Sequence, residues 1–307
     1  MSFSRNVKIE LCKTPVNAAC CAVAESYGAL LYCHTFSGRE IRIVTENSGF
    51  AARMRALFAA AFGLEFDAVR EPKSDGGKIS LLITDADKIS RIIETFGFAA
   101  GKLLSHHVNL GVLEDDCCRA GFLRGAFLAG GSVTDPERSY HLELATPHRS
   151  VSREMSALLR EAGFAPKSVT RASLNVIYFK QSGAIEDFLT FVGAPSRALE
   201  LMSIKVEKDL RSGVNRRVNC DIANVTKTTN ASERQVNALE KLVPLLGELP
   251  DKLRETAQLR LEYPELSLVE LGEMCVPPVT KSCLNHRMRK LEKLAAEVGD
   301  VQLTIDS

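Results

Sequence analysis

The stretch Gly121-Phe-Leu-Arg-Gly-Ala-Phe-Leu-Ala-Gly-Gly131 constrains the fold more than any other part of the chain. Gly121, Gly125 and Ala129 recur every four residues, so a helix here carries one edge with almost no side chain. Such an edge lets a second helix approach backbone to backbone. Glycine costs a helix interior about 1 kcal/mol relative to alanine, so several glycines in one helix require a packing reason. The expectation is a close helix–helix seam whose partner lies elsewhere in the chain.

An internal repeat supplies that partner. Residues 15–28 open with Pro15, run through small apolar residues and close on Gly28, which are helix start and stop signals. Residues 29–36 and 39–45 read as strands around a Ser37-Gly38 turn. Asn47 caps a helix carrying Phe50, Met54, Leu57 and Phe58. Strands at 65–70 and 78–84 flank a turn at 72–77, and Asp85 opens a helix with Ile89, Ile92, Ile93 and Phe96 on one side. After the glycine-rich helix the order recurs. Residues 140–146 alternate as a strand, Val151, Met155, Leu158 and Leu159 form a helix ending at Gly163, residues 167–171 and 173–181 pair, and a last helix carries Ile185, Phe188, Leu189 and Val192. The two copies lie about one hundred residues apart, a period that argues for two pseudo-symmetric halves and not a solenoid. We therefore expect an α+β fold with two αββαββα halves, residues 1–110 and 111–210, joined where the helix at 15–28 meets the one at 121–131.

Composition narrows the functional classes. With 45% hydrophobic residues in 307, the chain can bury a real core and form two or three domains. The formal net charge of +1 gives no strong overall field, so a polyanionic partner must be met by a local basic patch. Nothing at the start resembles a signal peptide, and the apolar runs near 18–24 and 122–129 are short and are interrupted or flanked by Glu25 and Arg124, so a cytoplasmic location is expected. Nine cysteines without an export signal fit reduced thiols. The adjacent pairs Cys20-Cys21 and Cys117-Cys118, with His106-His107 before the second, invite a metal or redox reading. Neighbouring side chains on one helix point about 100° apart and no Cys-x-x-Cys spacing occurs, so the expectation is small buried hydrophobes and no metal.

Beyond Ser196 the character changes. Residues 197–210 read as a helix, and residues 211–231 as a polar linker in which Arg211, Arg216, Arg217 and Lys227 face the single acid Asp221. Such a stretch is either a solvated connector or a strap on a phosphate backbone. Residues 232–307 read as an all-helical domain. Ser232-Glu-Arg-Gln235 and Ser267-Leu-Val-Glu270 have capping-box spacing, and Val276-Pro-Pro-Val279 breaks the chain before a basic helix that starts after Thr280. A short helix, a turn and a basic helix outline a helix-turn-helix. Leu284, Met288, Leu291 and Ala295 should face the core, leaving Ser282, Asn285, His286, Arg289 and Lys293 opposite. Arginine pairs with guanine and asparagine with adenine in the major groove. Lys281, Arg287 and Lys290 flank that face and suit phosphates.

These motifs carry two resemblances. Leu123-Arg-Gly-Ala-Phe-Leu-Ala-Gly-Gly131 resembles the LAGLIDADG motif of homing endonucleases, with Cys20-Cys-Ala-Val-Ala-Glu-Ser-Tyr-Gly28 as a fainter first copy. In that family the last acidic residue of each motif holds the magnesium that activates water. The matching positions, Tyr27 and Gly130, carry no carboxylate, and Glu25 faces another way, so the resemblance carries the fold and not cleavage. The run Gly125-Ala-Phe-Leu-Ala-Gly-Gly-Ser-Val133, residues 212–224, Leu271-Gly-Glu-Met274 and Asn285-His-Arg-Met-Arg-Lys-Leu291 are similar to the WhiA family of Gram-positive bacteria. That resemblance implies a sequence-specific DNA-binding regulator tied to sporulation, cell division or chromosome segregation, nucleoid-associated, with an inactive nuclease-like half. Double-stranded DNA is the expected partner and a second transcription factor a candidate one; no cofactor, membrane or small-molecule substrate is expected. The competing readings are a residual metal-dependent endonuclease recruiting Glu25 or Asp135, and an N-terminal half turned into a protein-interaction module.

Overall fold

The computed structural model describes residues 2–72, 77–98 and 106–305, so residues 73–76 of the expected turn at 72–77 lie outside the described residues. The chain divides into two compact units, Met1–Asp209 and Leu210–Ser307.

The first unit opens with a helix outside the expected repeat, α1 (Phe3–Cys12). The Ser2 hydroxyl accepts the Arg5 amide at 3.3 Å, and Phe3, Val7 and Leu11, four apart, form its buried stripe. The first half continues as α2 (Ala19–Leu31), β1 (Thr35–Phe36), β2 (Ile41–Thr45), α3 (Ser48–Phe62), β3 (Ala68–Arg70), β4 (Ile79–Ile83) and α4 (Ala86–Thr95). The second half repeats it as α5 (Asp116–Gly130), β5 (Gly131–Val133), β6 (Leu142–Thr146), α6 (Arg149–Glu161), β7 (Lys167–Arg171), β8 (Leu174–Phe179) and α7 (Ser182–Val192). The expected caps are in place, Asn47 accepting the Phe50 amide at 3.2 Å and Asp85 accepting those of Asp87 and Lys88.

Both sheets have the same antiparallel order, β1-β2-β4-β3 and β5-β6-β8-β7. Ile41 pairs with Ile83 in one, Leu142 with Phe179 in the other, and strand alternation then buries Ile43 and Leu81, or Leu144 and Ile177. The apolar faces of both halves merge into one core running from Phe3 to Leu201. The two αββαββα halves are as the repeat predicts.

The seam is tighter than a side-chain contact. A Cβ on Gly28 would lie 2.0 Å from the Phe122 carbonyl oxygen, and one on Gly125 would lie 2.0 Å from that of Glu25. The backbones of α2 and α5 therefore touch at both glycines. This corrects the reading of Gly28 as a helix end: α2 runs on to Leu31, so residues 29–31 are helical and the strand is confined to Thr35–Phe36. Glycine here serves close approach and not termination.

A buried ion cluster flanks the crossing. Glu25 is 1% exposed and accepts from Arg53 Nη2 at 2.8 Å and from Arg124 Nε at 2.9 Å. Arg53 also donates to the carbonyls of Cys12 and Thr14, and Arg124 to that of Val192. One carboxylate thus ties α2 to α3 and α5, and its two guanidiniums reach the segments after α1 and at the end of α7. Every charge taken from water here has a partner, which is the condition for tolerating its desolvation.

Residues 211–231, read as a linker, belong to one 46-residue helix, α8 (Pro195–Glu240). Gly213, the asparagines and the threonines are weak helix formers and made the stretch read as irregular. The helical signal was present in Val214, Val218 and Ile222, spaced by four, although these side chains are exposed. Ser232 accordingly starts no helix; it sits within α8 and its hydroxyl donates to the Pro264 carbonyl.

The second unit adds α9 (Asp251–Glu262), α10 (Leu268–Met274) and α11 (Lys281–Ile305). Its core joins Leu239 of α8 and Leu242 just beyond it, Leu253 and Ala257 of α9, and Met288, Leu291 and Ala295 of α11. Leu271, Cys275 and Leu284 form a smaller cluster between α10 and α11. The capping box at Ser267 and Glu270 is formed as expected. Arg260, 2% exposed, donates to the carbonyls of Leu266 at 2.6 Å and Pro264 at 3.2 Å, fixing the loop before α10.

Two substitutions test this account. Gly125→Ala places a methyl against a backbone carbonyl and should lower unfolding free energy by about 1 to 3 kcal/mol, while Gly38→Ala, with open space around it, should not. Glu25→Gln leaves two buried guanidiniums facing a neutral amide and should cost about 3 to 5 kcal/mol. Urea titrations with unchanged midpoints for both would contradict the described seam.

Candidate functional site

The seam fixes where a LAGLIDADG carboxylate would stand. Gly28 meets Phe122 and Ala126, and Gly125 meets Glu25 and Ala29, so the two glycines are equivalents. The position five residues beyond each is Cys33 in the first half and Gly130 in the second. Cys33, and not Tyr27 as the sequence alone suggests, therefore stands at the acidic place of the first motif. Tyr27 is fully buried, stacks on Phe96 at 4.4 Å, donates its hydroxyl proton to the His107 carbonyl and accepts from the Asn109 amide at 2.9 Å. Burial pushes its pKa up.

Neither equivalent position offers a carboxylate. The half-buried Cys33 thiol donates to the Thr35 carbonyl at 3.3 Å, and burial raises its pKa to about 12. At Gly130 a Cβ would come within 2.8 Å of both the Ala145 carbonyl oxygen and the Tyr32 ring, so the space is filled. Lys8 of α1 donates to the Leu128 carbonyl at 3.1 Å, placing an ammonium at the C-terminal end of α5. Desolvation lowers the pKa of that lysine. Glu25 is committed to its two arginines, and exposed Asp135 accepts the Glu137 amide at 3.0 Å. On the second sheet Glu143 is paired with Arg171 at 3.4 Å and His141 at 3.1 Å.

The second unit presents a different surface. On α11, Leu284, Met288, Leu291 and Ala295 are at most 2% exposed, which is the expected core face. Lys281, Ser282, His286, Arg289, Lys290 and Lys293 are exposed, and Asn285 is half-buried. Arg287 departs from the expected phosphate contact. Its guanidinium lies 3.5 Å from Glu255 and donates to the Lys252 carbonyl and the Thr256 hydroxyl, bracing α11 against α9. On α8, Arg216, Arg217 and Lys227 are exposed. Arg216 and Lys227 fall on one helical face about 16 Å apart, whereas Arg217 points roughly 100° away. Lys227 and Lys281 line one groove with Ser232, Arg260 and Ser267, so the structure brings together two cations far apart in sequence.

The sulfur atoms of Cys20, Cys21, Cys117 and Cys118 lie within 4.8 Å of one another. Cys21 and Cys118 are buried, as expected of small hydrophobes, but Cys20 and Cys117 are exposed. Spacing on one helix separates the members of each pair, and the crossing of two helices brings the pairs together. The signal lay in the repeat, since Cys21 precedes Gly28 and Cys118 precedes Gly125 by seven residues. The histidines are engaged elsewhere, His106 with the Phe36 carbonyl at 2.6 Å and His107 with Glu154 at 2.9 Å.

The comparisons with known proteins agree with this layout. The family model described as WhiA LAGLIDADG-like domain matches residues 119–211, and that described as WhiA C-terminal HTH domain matches residues 214–295. The chain is 39% identical over 308 residues to a probable cell division protein WhiA of Ruminiclostridium cellulolyticum, covering 97% of this chain and 98% of that one. A probable cell division protein WhiA of Clostridium botulinum is 35% identical over 313 residues, with 97% and 99% covered. The crystal structure of full-length DUF199/WhiA from Thermotoga maritima has the same fold, with a TM-score of 0.60 at 24% identity over 97% of this chain and 99% of that one. Among the described residues no helix is long and apolar enough to cross a membrane. With nearly its whole length matched at these identities, the chain belongs to the WhiA family.

Proposed function

We propose that the chain is a sequence-specific DNA-binding regulator with a role in cell division, in which α11 reads base edges and the nuclease-like unit no longer cuts. The observation that carries this reading is the split of α11 into a buried apolar face and an exposed face bearing Ser282, His286, Arg289, Lys290 and Lys293. A helix so held can enter the major groove, where Arg289 and Asn285 have guanine and adenine as complementary partners. Lys281, Lys290, Arg216, Arg217 and Lys227 suit the phosphate backbone, with Arg287 replaced in that role by its brace to Glu255. With a net charge of +1 the chain as a whole exerts little attraction on DNA, so the attraction has to come from a local patch such as this one. The cell-division role rests on the names of the relatives.

The absence of carboxylates at Cys33 and Gly130, and the commitment of Glu25 to two arginines, support a nuclease-like unit without cleavage. Sporulation control, a second transcription factor as partner, and nucleoid association in the cytoplasm belong to the same reading.

Gel-shift titration on a genomic site checks the assignment. Arg289→Ala and Asn285→Ala should each weaken specific binding by about 1 to 3 kcal/mol, and Lys227→Ala should weaken all sequences alike and lower the salt slope by about 1. Unchanged affinity in the first two variants would contradict it. Supercoiled plasmid incubated with protein and magnesium should stay intact, and protein-dependent nicking would refute the loss of cleavage.

A further inference from the structure

We propose that Cys20, Cys21, Cys117 and Cys118 form a tetrathiolate site for one zinc ion, which clips the two halves together at the start of the α2–α5 seam. Geometry selects a single ion. Zinc bonds thiolate sulfur at about 2.3 Å, so four tetrahedral ligands stand roughly 3.8 Å apart. Sulfurs that already lie within 4.8 Å of one another need only a small contraction to reach that arrangement. An iron–sulfur cluster interposes several atoms between its cysteines and needs them farther apart. The all-sulfur donor set matches closed structural zinc sites.

In the metal-free site burial and the neighbouring thiols push the Cys21 and Cys118 thiols up, so the ion itself has to displace their protons. Both pairs sit in the first turn of their helices, and neither Ala18 nor Asp115, the two capping residues, closes a side-chain hydrogen bond to its helix. Two helix N-termini therefore stand beside the sulfurs, and their positive ends partly offset the negative charge of a zinc tetrathiolate, against the carboxylate of Asp116 in the first turn of α5. Exposed Cys20 and Cys117 give the ion a path from solvent, while buried Cys21 and Cys118 hold it against the core. Each ligand displaces its thiol proton to solvent on binding, so the metal enters without any change in oxidation state.

The two-fold relation of the halves supplies the function of such an ion. Each half contributes one vicinal pair at the same distance from its crossing glycine, so neither half completes the site alone. Bound zinc is then a cross-link between residues nearly one hundred apart, placed at the end of the seam opposite Cys33 and Gly130.

The test uses the full chain purified with a reductant and incubated with zinc, then desalted. Elemental analysis should give roughly one tightly held zinc per chain, and cobalt substituted for zinc should show the intense ligand-field bands and sulfur-to-metal charge transfer of a tetrahedral tetrathiolate. Cys21→Ser and Cys117→Ser should lose the stoichiometric metal, while Cys220→Ser and Cys283→Ser retain it. Chelation should lower the melting temperature of the wild-type chain. Should the serine variants fail to fold, the cobalt spectrum of the wild-type protein still decides. A wild-type chain that holds no zinc, a cobalt spectrum of mixed oxygen or nitrogen ligation, or cysteines recovered only as disulfides would overturn the proposal.

Discussion

The first unit depends on one contact, the meeting of two helix backbones at Gly28 and Gly125, where the nearest carbonyl leaves no room for even a methyl group. Removing side chains from the crossing brings peptide dipoles and carbonyls to van der Waals distance, and the polar consequences have to be managed nearby. Glu25, one turn from Gly28, is held by Arg53 and Arg124, so the charge beside the seam is fully paired inside the protein. The sheets inherit their placement from this crossing. Each is the same antiparallel order laid beside its own copy of the helix, which makes a pseudo-dimer out of one chain.

The same crossing shows that a LAGLIDADG-like fold needs no carboxylate at the far end of its seam. Close packing of α2 and α5 requires small residues along the seam and says nothing about the residues at its far end. There the chain has a thiol bonded to a carbonyl, a glycine wedged against Tyr32, and a lysine on the last carbonyls of α5. Architecture and catalysis are separable because different residues carry them. In the second unit two arginines do the positioning: buried Arg260 ties the loop before α10, and half-buried Arg287 ties α11 to α9, leaving the outer face of α11 unencumbered.

Much of this was legible in the chain. The repeat, the small-residue edge, the Asn47, Asp85 and Ser267 caps and the core face of α11 are local patterns with one physical meaning. The sequence is ambiguous where one residue type serves two purposes. Gly28 resembles a helix terminator when read alone and becomes a crossing residue only beside Gly125. The stretch at 211–231 has poor helix formers, and α8 persists there with the valine and isoleucine spacing as its only sequence trace. Arg287 reads as a phosphate ligand by charge and is claimed by Glu255, a partner more than thirty residues away. The four cysteines are invisible to any argument made on one helix, because their convergence is a property of the crossing.

The central claim is that DNA is read by the exposed face of α11 and not by the sheets of the nuclease-like unit. Photo-cross-linking tests it most directly, with a photoreactive amino acid placed at His286 of α11 or at Lys167 of β7, both exposed, in the full chain bound to genomic DNA. The account predicts a strong DNA adduct from position 286 and background from position 167. An adduct from 167 with none from 286 would contradict it.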